Sequence, residues 1–130
     1  KGDDLNDQRI ESLQRYLAAC ERRDIQDIAA CFAPNAVILD PLGEQAGLAS
    51  IRAYFESIYA DLASLVFQTG PVSWCGTSCA VSWKGQAQRR DGTPLTYEGV
   101  DVFTFDDDHR IAKLWAFWIP DDLLVSDNIK

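Results

Sequence analysis

Near Leu62 the spacing of apolar residues changes from the three-and-four rhythm of helices to the alternation of strands. A chain that changes period once, helices first, has few architectures open to it. From about Leu5 to Arg22, the residues Ile10, Leu13, Leu17 and Cys20 make the stripe of an amphipathic helix. Asp24 is a fitting N-cap for a second, short helix whose inner face is Ile25, Ile28, Ala29 and Phe32, ended by Pro34. A short apolar strand, Ala36 to Leu39, stops at Asp40-Pro41 and Gly43. A third helix follows Gly47 and carries Leu48, Ile51, Phe55, Ile58 and Leu62.

Beyond that point the alternation predicts long antiparallel strands at about Leu65 to Cys75, Cys79 to Arg89, Pro94 to Phe105 and Ile111 to Pro120. Arg90-Asp91-Gly92-Thr93 and the acidic stretch Asp106 to Arg110 are the turns between the later ones. The expectation is an α+β fold with three N-terminal helices packed in a strongly curved mixed or antiparallel sheet. A sheet wrapped around helices on one face makes a cone, open at one end and lined by apolar side chains. No internal repeat or linker divides the 130 residues, so residues 1–130 read as a single domain. A chain of this length buries roughly two-thirds of its unfolded surface and needs no metal or disulfide staple.

Charge narrows the partners. Twenty Asp and Glu against 12 Lys and Arg leave a net charge of −8, which argues against nucleic acid and anionic membrane surfaces and for a neutral, apolar or cationic ligand. The cysteines, Cys20, Cys31, Cys75 and Cys79, lack C-x-x-C pairing and read as reduced, mostly buried thiols. No apolar run approaches the length of a membrane span and no signal-peptide pattern opens the chain, so a cytoplasmic protein is expected. A single histidine, His109, excludes His-pair metal sites and makes a Ser-His-Asp triad improbable.

Three polar residues interrupt apolar patterns. Tyr16 lies inside the buried stripe of the first helix, where its hydroxyl needs a polar partner; a backbone carbonyl in the core is the plain alternative to a ligand. Asp40 stands where Val37-Ile38-Leu39 runs into Pro41, which holds it at a strand end. There it is either a turn-forming carboxylate capping nearby amides or a base at a cavity rim. Asp101, in Gly99-Val100-Asp101-Val102-Phe103-Thr104-Phe105, shares a strand face with Phe103 and Phe105. An unpaired carboxylate on such a face must find a cation, bond backbone amides or keep its proton, and a protonated one can stabilise an oxyanion.

Taken together these residues resemble the bacterial ketosteroid isomerases (steroid Δ5-isomerases) of the NTF2-like, SnoaL-like superfamily. The likeness covers nearly the whole chain: Leu13-Gln14-Arg15-Tyr16, the lead from Phe32 through Val37 into Asp40-Pro41-Leu42-Gly43, Gly47 to Phe55, Gly70-Pro71-Val72, Gly99 to Phe105, and Ala116-Phe117-Trp118. Asp-Pro-x-Gly alone is a weak signal. The specific part is the coincidence of Tyr16, Asp40 and Asp101 with that family's tyrosine, base and protonated aspartate.

The resemblance implies an NTF2-like cone and a proton shuttle that needs no cofactor. Asp40 would move a proton of a β,γ-unsaturated 3-oxosteroid, while Tyr16 and neutral Asp101 donate to the enolate oxygen. Phe55, Phe103, Leu114, Ala116 and Trp118 would line the slot, with core packing as the alternative for Leu114 and Ala116. Phe32 and Phe55 stand where some members keep supporting tyrosines, so Tyr16 would lack a phenol chain unless Tyr54 or Tyr59 turns inward. Trp74 and Trp83 fit core, pocket or interface equally. A polyketide cyclase or another enolising enzyme on the same fold, or a non-catalytic binding or dimerisation module, are the other readings. The family also implies a homodimer packed sheet to sheet, with Val81 or Trp83, Val100 and Val102 as candidates for the outer face.

Overall fold

Local chemistry breaks the helical half where expected. In the computed structural model, which describes residues 2–119, helix α1 (Gly2–Arg22) ends as Arg23 enters the left-handed region at φ 56°. The Asp24 side chain then accepts from the Asp27 amide at 3.1 Å and starts α2 (Ile25–Ala30). Strand β1 (Phe32–Asp40) and the short β2 (Gly43–Ala46) lead into α3 (Leu48–Tyr59). Four long strands follow: β3 (Leu62–Cys75), β4 (Ser78–Arg89), β5 (Pro94–Phe105) and β6 (Ile111–Trp118).

Some boundaries differ from the expectation. Phe32 is not on the second helix; it opens β1 and pairs with Ile111 of β6, so the strand begins before Pro34. Leu62 belongs to β3, opposite Arg89, and not to the third helix. Strand β2 was not anticipated, because Gly-Glu-Gln-Ala carries no apolar alternation. Its residues instead pair with β1 from Asp40↔Gly43 to Val37↔Ala46. The expected end of the last strand at Pro120 lies outside the described residues.

The six strands form one mixed sheet in the order β2-β1-β6-β5-β4-β3, curled but not closed. All neighbours are antiparallel except β1 and β6, which run parallel. One break in register falls between Thr69 and Val72, where Gly70 and Pro71 interrupt the β3–β4 ladder. Proline has no N–H to offer the ladder, and such irregularities bend a strand.

The helices pack against one face of the sheet. From α1 they bury Leu13, Tyr16, Ala19 and Cys20, and from α3 Ile51, Phe55 and Tyr59. The sheet answers with Phe32, Ile38, Val81, Phe103 and Ile111. Each large side chain so buried stabilises the fold by about 1.5–3 kcal/mol. Val81 and Trp83 therefore face inward, against the expectation that one of them lies outside: Val81 is almost fully buried and pairs with Asp101 on the inner face. Trp74 leans on the core with its ring 6.0 Å from that of Phe105. Cys20, Cys31 and Cys79 are buried, Cys75 is exposed, and all are free thiols, as their spacing suggests. Among the described residues no helix is long and apolar enough to cross a membrane.

Candidate active site

Between the inner face of the sheet and helices α1 and α3 lies an apolar cavity of about 340 Å³. That is within the usual size of small-ligand sites. Its few polar groups are Tyr16 and Cys20 from α1, Tyr54 and Tyr59 from α3, Trp83 from β4, Tyr97 and Asp101 from β5, and Trp118 from β6.

Asp101 reaches the cavity because β5 alternates. Val100 and Val102 point outward, whereas Asp101, Phe103 and Phe105 point in and are buried. Its register neighbours are Val81 and Ala116, neither of which offers a charge. The Trp83 indole N–H donates to its Oδ1 at 3.0 Å. Burial pushes the carboxyl up to about 7, with the indole bond acting in the opposite sense. Near neutral pH, then, a large share of Asp101 carries a proton and can donate it.

Tyr16 is held by ring contacts on three sides. Phe32 and Phe103 meet it edge-on at 5.6 and 5.5 Å, and Phe55 at 6.4 Å. Its phenol stays neutral, its acidity weakened first by burial and then by the neighbouring Cys20 and Asp101. The buried Cys20 thiol lies one helical turn on and lines the same cavity. Burial raises that thiol to about 12, so it is no nucleophile.

Asp40 closes β1 in an Asx-type turn. Its Oδ1 accepts from the backbone amides of Leu42 at 2.8 Å and Gly43 at 3.1 Å, and Gly43 adopts φ 141°, a conformation that favours glycine. The Tyr54 hydroxyl donates a short hydrogen bond to Oδ2. Leu42 and Tyr54 are themselves cavity walls, so the half-buried carboxylate adjoins the cavity through the two residues it bonds.

Of the residues singled out in the sequence, Tyr16 and Asp101 share the cavity and Asp40 stands beside it. Phe55, Leu114, Ala116 and Trp118 line the walls. Phe103 does not: it is completely buried behind Tyr16, stacked near Phe105 at 6.2 Å, and serves as backing rather than lining. Tyr54 and Tyr59 both turn inward and line the cavity, but Tyr54 bonds Asp40, and Tyr59 packs its ring 5.8 Å from that of Phe55.

Trp83 and Tyr54 have polar roles that the sequence alone does not assign. Trp83 could be found by laying β4 against β5 from the Asp-Gly turn, which puts it diagonally across from Asp101. Tyr54 stands out only as a phenol that could turn toward Tyr16, and nothing in the pattern marks it as the partner of Asp40.

Known proteins share this fold. A family profile described as the SnoaL-like domain matches residues 13–114. The chain is 34% identical over 117 residues to a steroid Delta-isomerase of Nocardioides simplex, covering 88% of this chain and 93% of that one. It is similar in structure to SalBIII, an epoxide hydrolase/cyclase-like enzyme with a role in pyran ring formation in the polyether salinomycin. There the TM-score is 0.78 and the identity 28%, over 90% of this chain and 95% of the other. An NTF2-like protein of unknown function from Burkholderia pseudomallei superimposes with a TM-score of 0.79 at 17% identity, over 91% and 95% of the two chains.

Proposed function

This chain belongs to the SnoaL-like domain family and is a homologue of a steroid Delta-isomerase, and on that premise we propose that it is a cofactor-independent isomerase of 3-oxosteroids. The observation that carries the reading is Asp101: a carboxyl 9% exposed, bonded on one oxygen by Trp83, facing the same apolar cavity as the neutral phenol of Tyr16. Two donors converging in a dry pocket suit an oxygen that gains negative charge during reaction.

The ketone oxygen of a 5-ene-3-oxosteroid lies against Tyr16 and Asp101, and the fused rings fill the apolar cavity. Asp40 takes the acidic proton between the carbonyl and the double bond. The C–H bond breaks, an O–H bond forms on the carboxylate, and the electron pair moves into a dienolate. Oδ1 is tied to two backbone amides that cannot move away, so Oδ2 accepts the proton and the Tyr54 hydroxyl gives way. The same proton returns to the far end of the dienolate, leaving the conjugated 4-ene ketone and free carboxylate. The base contributes roughly 10²–10⁴-fold and each donor about 10²–10³-fold in rate.

Conversion of the 5-ene to the 4-ene ketone, followed by enone absorbance, tests this with Asp40→Asn beside wild type. Turnover that the substitution abolishes is expected; a folded wild type without turnover overturns the steroid assignment. The 28% identity to SalBIII favours one second reading, a cyclase acting on a polyketide-derived substrate, in which the same cavity and acid groups serve ring closure. A homodimer is part of the proposal as well. Val100, Trp115 and Phe117 are exposed side by side on the outer face, and two such faces packed together would cover them.

A further inference from the structure

The inner face of β5 runs from packed core to open cavity. Phe105 and Phe103 are buried, Asp101 comes next and reaches the cavity, and Gly99 and Tyr97 follow it, half-buried. Strand β6 ends at Trp118, opposite Gly99, so Tyr97 stands past the end of that strand, where the inner face opens. Its ring leans on the core and lines the same cavity as Asp101 and Tyr16. Tyr97 lies four residues before Asp101 on one face, which sets the two Cα atoms about 13 Å apart. Between these polar ends the wall is aromatic. Trp83 stands opposite Gly99, and Phe67 opposite Gly85, which is itself opposite Tyr97. Each ring occupies room that a glycine leaves: a Cβ at Gly99 would lie 2.8 Å from the Trp83 indole, and one at Gly85 would lie 3.3 Å from the Phe67 ring. The two rings meet edge-on at 5.7 Å, and both line the cavity.

We propose that Tyr97 is a specificity-determining residue: its hydroxyl donates a hydrogen bond to an oxygen at the far end of the substrate, so that 5-ene-3-oxosteroids bearing a 17-ketone are preferred. This rests on the steroid reading above. Four fused rings are rigid and hold the oxygens on C3 and C17 at opposite ends, a span comparable to the separation of Asp101 and Tyr97. With the C3 oxygen on Tyr16 and Asp101, the rings extend along β5 over Trp83 and Phe67, and the C17 oxygen comes to the rim beside Tyr97. A ketone oxygen only accepts, and a phenol O–H can donate to it. Because Tyr97 is half-buried, water competes for the hydroxyl, so the bond sets a preference and not an absolute requirement. The competing account makes Tyr97 only a rim side chain packed on the core.

The test compares two substrates that differ only at C17, one with a ketone and one with a methylene, in wild type and in Tyr97→Phe. Phenylalanine keeps the ring and its core contacts, so the fold is preserved. Wild type should show a KM about three- to tenfold lower for the 17-ketone, with the same kcat, because a contact so far from the reacting atoms is equal in ground and transition states. Tyr97→Phe should lose that preference by raising KM for the ketone alone. 2-Naphthol, a two-ring phenol whose oxygen suits Tyr16 and Asp101 but which is too short to reach Tyr97, should bind both proteins equally. A Tyr97→Phe variant that raises both KM values alike, or that weakens naphthol binding, makes Tyr97 a packing residue and overturns the proposal. Turnover of both substrates by wild type with equal KM also overturns it and leaves the isomerase reading intact. A folded wild type that turns over neither substrate overturns the steroid reading, and this proposal with it.

Discussion

The indole N–H of Trp83 donates to Oδ1 of Asp101 at 3.0 Å, although the two are not register partners: Val81 stands opposite Asp101, and Trp83 opposite Gly99. The diagonal is possible because Gly99 has no side chain. A Cβ there would lie 2.8 Å from Cζ2 of the indole and 2.3 Å from the Phe117 carbonyl oxygen. An indole can only donate, so Oδ1 must accept, and the carboxyl proton is left on Oδ2. Trp83 thereby decides which oxygen of Asp101 can serve as a donor. With the carboxyl pushed up to about 7 by burial, the proposed donor is present below that pH and disappears above it. The kcat/KM profile for the steroid should therefore fall as pH rises through about 7. Asp101→Asn, whose amide donates at any pH, should lose this limb. Trp83→Phe should move it to higher pH, because the indole bond opposes the rise. A limb that survives in Asp101→Asn assigns the ionisation to another group.

The same carboxyl couples folding to pH. Its ordinary value is 3.8 and its folded value about 7, so between them the folded chain holds a proton that the unfolded chain releases. Stability from this group is complete below the lower value and is lost as pH rises to the upper one. The loss is on the order of 4 kcal/mol. Urea denaturation at pH 5 and pH 8 checks it: Asp101→Asn should lose distinctly less stability than wild type over that interval. Equal losses in the two proteins would mean that Asp101 ionises as freely in the fold as out of it.

Tyr54 should matter to rate more than to binding. Its hydroxyl holds Oδ2 of Asp40 in one orientation, opposite the oxygen fixed by the Leu42 and Gly43 amides. In Tyr54→Phe the carboxylate keeps its turn but loses the bond that aims the reacting oxygen. A fall in kcat of about three- to tenfold with little change in KM is expected, on the scale of one hydrogen bond. Asp40→Asn, which removes the base itself, should cost far more, on the order of 10²–10⁴-fold. Measured kcat values in the inverse order would exclude Asp40 as the base.

Much of this site can be read in the alternation of β5, because a period of two assigns every residue to a face. Asp101 between Phe103 and Phe105 stands out at once. Alternation states which face, however, and not how deep. Phe103 shares the face of Asp101 yet lies behind Tyr16, whereas Leu114 and Ala116 on the neighbouring strand reach the cavity. Parity across a hairpin is a further step: Val81 could be assigned to the outer face only while the register of β4 against β5 was unknown. Strand β2 has no apolar pattern to read and exists because β1 offers it an edge. Tyr54 was hidden for another reason. Its importance comes from meeting Asp40, which closes β1 while Tyr54 lies on α3, and no periodicity within either element records that meeting.

The outer face of the sheet supplies the last prediction. Val100 pairs with Phe117 and Val102 with Trp115, so these side chains form one patch across β5 and β6. Trp115 and Phe117 are 46% and 45% exposed, with ring centroids 5.0 Å apart. The Lys113 ammonium sits 5.0 Å over the Trp115 ring, which places a charge beside the patch. Aromatic groups left this open are costly in water, and a second copy offering the same patch about a twofold axis would cover both. Sedimentation velocity should therefore find a dimer, and Trp115→Glu should shift it to monomer by setting two carboxylates into the contact. Because the patch lies on the face opposite the cavity, 2-naphthol affinity should change little in the monomer. A wild type that sediments as a monomer at all accessible concentrations would reject the sheet-to-sheet pair and leave the cavity argument standing.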